Sequence, residues 1–183
     1  MNEMPGESAV AVIDTTHGAI HVEIDLEHAP TTAAHFLTLV DANAYDGGAF
    51  HRTVTPDNQP NDTIRIAVIQ GTVSGSFDSD DVGPIPLERT SVTGLRHLDG
   101  TISMARRAPD SAKFDFFICV GDQPELDFGG KRNPDGQGFA AFGQVTSGMD
   151  VVRAINAQPA DGQKLTPPVP IPSIRRVRGS QGP

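Results

Sequence analysis

The sequence predicts a mainly β domain, a small barrel or sandwich with two helices lying outside the sheet. Three observations lead there. Short apolar or alternating runs recur along the chain, bounded by Gly, Pro, Asn or Asp. Only two segments carry apolar residues at helical spacing. The chain has 183 residues, 37% hydrophobic and 20% charged, which is the size and composition of one ordinary globular domain. A barrel is attractive because closure removes exposed sheet edges, but pattern alone leaves both architectures open.

The elements follow in order. Residues 10–13 and 20–26 are separated by His17-Gly18 and read as a hairpin with His21, Glu23 and Asp25 on its solvent side. Pro30 suits a first helical turn, and Ala33, Phe36, Leu37 and Val40 repeat at helical spacing. That helix is expected to end near Ala44, before Asp46-Gly47-Gly48. Residues 50–53 read as a strand, 55–63 as a loop rich in Pro, Asn and Asp, and 64–70 as a strand again. Residues 71–83 are small and acidic and read as a surface loop. Residues 101–105 and 114–120 are the two clearest buried strands, with the turn Ala108-Pro109-Asp110-Ser111 between them. Residues 121–138 form a loop of a length that suggests either function or partial disorder. Residues 140–145 make a strand, and Met149, Val152 and Ile155 mark a second amphipathic helix. After the Pro-rich residues 167–172, residues 173–177 read as a closing strand. The domain is expected over residues 9–179, with a flexible segment at 1–8 and a tail at 180–183.

A formal net charge of −9 argues against a protein that tracks nucleic-acid phosphates. The charge is uneven, with 15 Asp/Glu and 4 Lys/Arg in residues 1–100 against 8 and 10 in residues 101–183. Two differently solvated faces account for that split; a basic docking patch around Arg106, Arg107 and Lys113 is the other reading. No apolar run approaches the ~20 residues that span a bilayer, so no membrane partner is expected. Met1 to Ser8 show no basic region followed by an apolar stretch, so no secretory signal is read in the sequence as given, a signal already removed being the alternative. The lack of a cysteine pair fits the cytoplasm as the expected compartment, with the periplasm left open. Monomer is the expected state. Cys119 is the sole cysteine and sits in an apolar run, where a small buried hydrophobe is expected rather than a thiol nucleophile. The six histidines form no metal set, since His17 and His21 lie four apart on a hairpin rather than on one helical face. No metal or cofactor is expected. No phosphate-binding glycine loop and no Gly-x-Ser-x-Gly elbow occurs.

Three segments stand out together: Phe50-His51-Arg52, Ile69-Gln70-Gly71, and Gly100-Thr101-Ile102-Ser103-Met104-Ala105 followed by Phe116-Phe117-Ile118. Each has a plain structural account. Arg52 would serve as a salt-bridge partner, Gln70 would end a strand, and Phe116 and Phe117 would both be core.

Their combination and order resemble the cyclophilin family of peptidyl-prolyl isomerases, whose Phe-His-Arg, Gln-Gly-Gly, Ser-Met-Ala and Phe-Phe-Ile motifs they match. Phe142-Gly143-Gln144-Val145 and Gly148-Met149 extend the match, and residues 124–138 look like bacterial members. The resemblance implies a closed eight-stranded antiparallel barrel capped by two helices, with a filled interior and the substrate groove on its outer face. It implies Arg52 as the catalytic group, and Gln70, Val68, Ala105, Arg106, Phe117, Leu126 and Phe139 as substrate-binding residues. Partners would be proline-containing peptides and unfolded protein clients.

The chain departs from the family pattern at several places. Thr72 replaces the last Gly of Gln-Gly-Gly. Ala67 and Val68 stand where an aromatic and a Met are usual, so a shallower proline pocket is expected unless a residue from 55–63 fills it. Glu125 falls near the Trp that contacts cyclosporin, so weak cyclosporin binding is expected. Phe139 replaces a frequent His, and Arg107 and Asp115 are expected to alter which residues are accepted beside the proline. The rival function is a catalytically weak or inactive peptide-binding or chaperone module on the same fold. A small ligand carrier rests on architecture alone.

Overall fold

A computed structural model describes residues 8–177. The expectations for residues 1–7 and for the tail at 180–183 fall outside the described residues; β1 (Ser8–Thr15) begins one residue before the expected domain start. β1 and β2 (Gly18–Asp25) form the first hairpin, turning where Thr15 pairs with Gly18. Its alternating residues Ala11, Ile13, Ile20, Val22 and Ile24 are fully buried, while Glu23 is exposed.

Helix α1 (Pro30–Asp41) buries Ala33, Phe36, Leu37 and Val40 on one face. Ala29 offers no side-chain cap, and the carboxylate of Glu88 supplies one from a distance. It accepts from the Thr32 N–H and hydroxyl, both at 2.5 Å, and its charge suits the positive end of the helix. The helix ends three residues before the expected Ala44, since Asn43 takes a left-handed φ of 58°.

Strands β3 (Gly48–Val54), β4 (Val68–Thr72), β5 (Thr101–Met104), β6 (Phe116–Cys119) and β7 (Ala140–Ser147) follow, with a one-turn helix α2 (Thr90–Thr93) between β4 and β5. Helix α3 (Met149–Asn156) buries Val151, Val152 and Ile155. The two-residue β8 (Ala160–Asp161) pairs with the start of β9 (Lys164–Ile171), and β10 (Ser173–Val177) completes the chain. No helix among the described residues is long and apolar enough to cross a membrane.

The strands lie in the order β10-β1-β2-β7-β5-β6-β4-β3-β9-β8. β9 pairs with β3 at one end of this series and β10 with β1 at the other. Only Pro172 separates β9 from β10, so they act as one bent strand that joins both ends. With β9 and β10 taken together and the short β8 set aside, this is a closed eight-stranded antiparallel barrel with helices outside it. β9 overlaps the Pro-rich residues 167–172, for which the sequence suggested no element. Its prolines are tolerated because Pro170 pairs with β3 alone, while Pro167 and Pro168 fall where the β3–β9 register shifts and pair with neither β3 nor β8, so no ladder is interrupted.

The interior is filled. Phe36, Phe116 and Phe142 pack with Tyr45 and Phe50, ring centroids lying 5.1 to 5.8 Å apart. Gly71 is required here, since a Cβ would meet the Phe116 ring at 2.7 Å. A second, smaller apolar cluster of Val54, Ile66, Val68, Phe117, Cys119 and Leu126 lies on the outer face.

Candidate active site

Strand side chains alternate between faces, and this sorts the motif residues. Phe116, Ile118 and Ile69 enter the main core, whereas Phe117, Cys119 and Val68 belong to the outer cluster. Phe116 and Phe117 are therefore not both members of the barrel core. Across four adjacent strands, Ser103 pairs with Phe117, Phe117 with Gln70, and Gln70 with Arg52, forming one continuous row.

Arg52 joins the row through a β-bulge. Phe50 is buried in the core, and simple alternation would send Arg52 after it. The register shifts between Phe50 and Arg52, so the extra residue His51 turns Arg52 to the outer face.

Arg52 is held on two sides by neutral amides rather than by a carboxylate. Its Nη1 donates to Gln70 Oε1 at 2.9 Å. Its Nε and Nη2 both donate to Gln163 Oε1, at 2.9 and 2.6 Å. Gln70 is oriented in turn, its Nε2 donating to Asp115 Oδ2 at 3.1 Å. The Thr72 hydroxyl donates to the other Asp115 oxygen at 2.5 Å, which gives the departure from Gln-Gly-Gly a local partner.

Beside Arg52 opens a cavity of about 260 Å³. Val68, Gln70, Ala105, Arg106, Phe117, Leu126 and Phe139 all line it with Arg52, so the eight expected site residues come together. Ile66, Arg132, Asn133 and Pro134 complete the lining and were not expected. Ile66, not a residue of 55–63, supplies the extra apolar side chain next to Val68. The 55–63 loop acts indirectly through buried Gln59, whose amide bonds both the N–H and the C=O of Ile66, at 3.1 and 2.7 Å. Side-chain partners thus replace strand pairing at Ile66, and β4 begins four residues after the expected start at 64. Arg132 reaches across from the 121–138 loop to Gln59 Oε1 at 2.7 Å and to the Ile64 carbonyl at 2.8 Å.

Phe139 meets Phe117 edge-on at 5.5 Å. The Arg106 guanidinium lies over the Phe139 ring, 4.9 Å from the centroid, and also donates to the Gly138 carbonyl and pairs with Asp135. The Arg106 side chain is only 1% exposed, so it braces the pocket wall. Phe117 is stacked from behind by His97, at 5.9 Å and 13°. That buried ring spans Asp127, 2.7 Å from Nδ1, and Ser103, 2.9 Å from Nε2. Ser103 is fully buried, so these three groups support Phe117 and expose no nucleophile. Burial pushes the Asp127 carboxyl up, but hydrogen bonds from the ring and backbone of His97 outweigh it and hold the pKa low.

Arg107 is exposed and lies outside the cavity lining. Glu125 is part of the loop framework, its carboxylate accepting from the Lys131 N–H at 2.8 Å. Burial pushes the Cys119 thiol up, so it stays protonated. Burial and the nearby Arg132 lower the Arg52 pKa against the pull of Asp62. A guanidinium titrates so far above neutrality that Arg52 keeps its charge. His51 is lowered from 6.5 by burial, with Asp115 opposing and Arg52 adding to the shift. Among the described residues no group of three or more His, Cys, Asp or Glu is placed to hold a metal ion. A second hollow of about 300 Å³ lies over β2, β5 and β7, but its Glu23 and Arg96 are exposed and nothing there matches the clamp on Arg52.

The family model described as cyclophilin type peptidyl-prolyl cis-trans isomerase matches residues 10–176. The chain belongs to the cyclophilin family. A peptidyl-prolyl cis-trans isomerase cyp18 of Streptomyces antibioticus is 32% identical to this cyclophilin over 173 residues, covering 88% of this chain and 92% of the relative. Peptidyl-prolyl cis-trans isomerase B of Escherichia coli is 33% identical over 145 residues, covering 77% and 80%. A crystal structure of a Cryptosporidium parvum cyclophilin-type isomerase aligns with a TM-score of 0.75 and 19% identity, over 94% of this chain and 99% of that one. That likeness concerns the cyclophilin fold.

Proposed function

We infer that this cyclophilin is a peptidyl-prolyl cis-trans isomerase that turns Xaa–Pro bonds in extended or unfolded chains. One observation carries the reading: a charged, doubly clamped Arg52 stands at the edge of a cavity of about 260 Å³ that Ile66, Val68, Phe117 and Leu126 line on its apolar side. The reaction is rotation about an amide whose resonance imposes a barrier of ~18–20 kcal/mol. It requires a site that favours the twisted amide over both planar forms.

Twisting pyramidalises the prolyl nitrogen and restores its lone pair. Arg52 donates toward that developing density. Its charge is undiminished by a carboxylate partner, and its position is set before substrate arrives. One such preorganised donor is worth roughly 2.7–4 kcal/mol, about 10²–10³ in rate. Phe117, Leu126 and Ile66 hold the ring while the residue before it rotates. Gln70 receives substrate backbone on its remaining N–H, and the main chain near Arg106 pairs with the extended peptide. The clients are unfolded proteins, with the chain acting as a monomer. Weak cyclosporin binding follows from Glu125, which is committed to the loop.

NMR exchange spectroscopy on an Ala-Xaa-Pro-Phe peptide tests the assignment. Wild type is expected to produce cis–trans exchange cross-peaks that disappear with Arg52→Ala while peptide shifts persist. Binding shifts without accelerated exchange in the wild type would instead establish a non-catalytic peptide-binding module.

A further inference from the structure

We propose that Gln163 is a positioning residue for Arg52, fixing which of its N–H groups meet the prolyl amide. The proposal rests on the reading of Arg52 as the group that acts on that amide. Gln163 follows Gly162, whose φ of 60° makes the tight turn between β8 and β9. Its carbonyl accepts from the Thr53 N–H at 2.9 Å, so its backbone is tied to β3 next to Arg52. Its Nε2 donates to the Asn58 carbonyl at 3.2 Å, which leaves Oε1 aimed at the guanidinium. That oxygen takes both Nε and Nη2 of Arg52. With Nη1 bound to Gln70, three of the five guanidinium N–H groups are engaged and two remain for substrate.

The chemistry of the clamp fits the task. Arginine has a long flexible side chain that loses much freedom when fixed, and two amides fix it in advance. An amide oxygen holds the guanidinium without neutralising it, whereas a carboxylate would drain the charge that the twisted state needs. Gln163 is half-buried and lies outside the cavity lining, so it acts through Arg52 and not on the peptide.

Two variants separate positioning from packing. Gln163→Ala removes the acceptor and the bulk, whereas Gln163→Met keeps the bulk and loses the acceptor. On-enzyme exchange rate and peptide Kd are read together by NMR line shapes. Both variants are expected to slow exchange about tenfold with Kd changed less than about twofold, since a small misplacement acts on rate more than on binding. In an Arg52→Ala background, Gln163→Ala is expected to cost nothing further. The Arg52 Nε–H resonance, sharp in wild type, is expected to broaden by solvent exchange in both variants, a readout independent of turnover. Recovery of the rate by Met, or an equal loss in the Arg52→Ala background, would reduce Gln163 to a packing role and overturn the proposal. So would wild-type exchange with an unchanged Nε–H signal. If the wild type itself does not accelerate exchange, the isomerase reading fails, and the Nε–H signal alone decides whether Gln163 positions Arg52.

Discussion

Arg52 is held by three hydrogen bonds to neutral amides, and none of them removes its charge. The neighbouring His51 adds a pH dependence. Its imidazole is depressed in the folded protein below the ordinary 6.5 by burial, so the unfolded chain binds the proton more readily. The contribution to stability is therefore complete above about pH 6.5 and is lost as pH falls through the depressed value. Protonation also puts a second positive charge beside Arg52. Thermal melts and exchange rates between pH 7.5 and 5 are expected to decline together in wild type, with His51→Gln flattening both. A decline undiminished in His51→Gln would assign the effect to another group. The residues of the cavity were the most legible layer: Arg52, Gln70, Phe117 and Leu126 were named by family resemblance, and all four line it. Gln163 was not legible, because its role depends on a turn brought beside β3 by a strand that prolines disguised.

Two features of the elements decide how the site is assembled. The bulge at His51 places Arg52 on the outer face, and plain alternation of residues 50–53 could not show it. The loops 55–63 and 121–138 are joined through Gln59, which is 1% exposed and hydrogen-bonded on both sides of its amide. Gln59→Ala leaves the Ile66 N–H and C=O without these partners, at a cost of about 1–3 kcal/mol for a buried unsatisfied group. Denaturant titration is expected to show that loss, and peptide Kd is expected to rise as Ile66 loosens from the pocket. Unchanged stability would mean that water replaces the amide. Ile66 was within reach of the sequence, two residues before Val68 and on the same face. Arg132, Asn133 and Pro134 were not, since no periodicity governs a loop.

At the scale of the whole molecule, the barrel depends on its last strand. β9 and β10 bend at Pro172 and connect both ends of the sheet. A chain ended after Pro172 would leave β1 paired on one side only and expose its edge. Light scattering is expected to show association of that truncated chain, whereas a monodisperse, folded product would mean that closure is dispensable. The sequence predicted a β domain with outer helices because two helical stretches and many short strands are local signals. Closure was legible only by family resemblance, as it is a relation between the two ends of the chain that local pattern does not carry. The same distance effect hid Glu88, which caps α1 from 56 residues away.

The most direct test of the account is the on-enzyme cis–trans exchange rate of Arg52→Lys. Lysine keeps the positive charge but lacks the planar fork that Gln70 and Gln163 hold. A loss of about 10²-fold in rate is expected, comparable to removing a preorganised donor, with the fold and peptide Kd near wild type. An Arg52→Lys protein that isomerises as fast as wild type would contradict the claim that the clamped guanidinium carries catalysis.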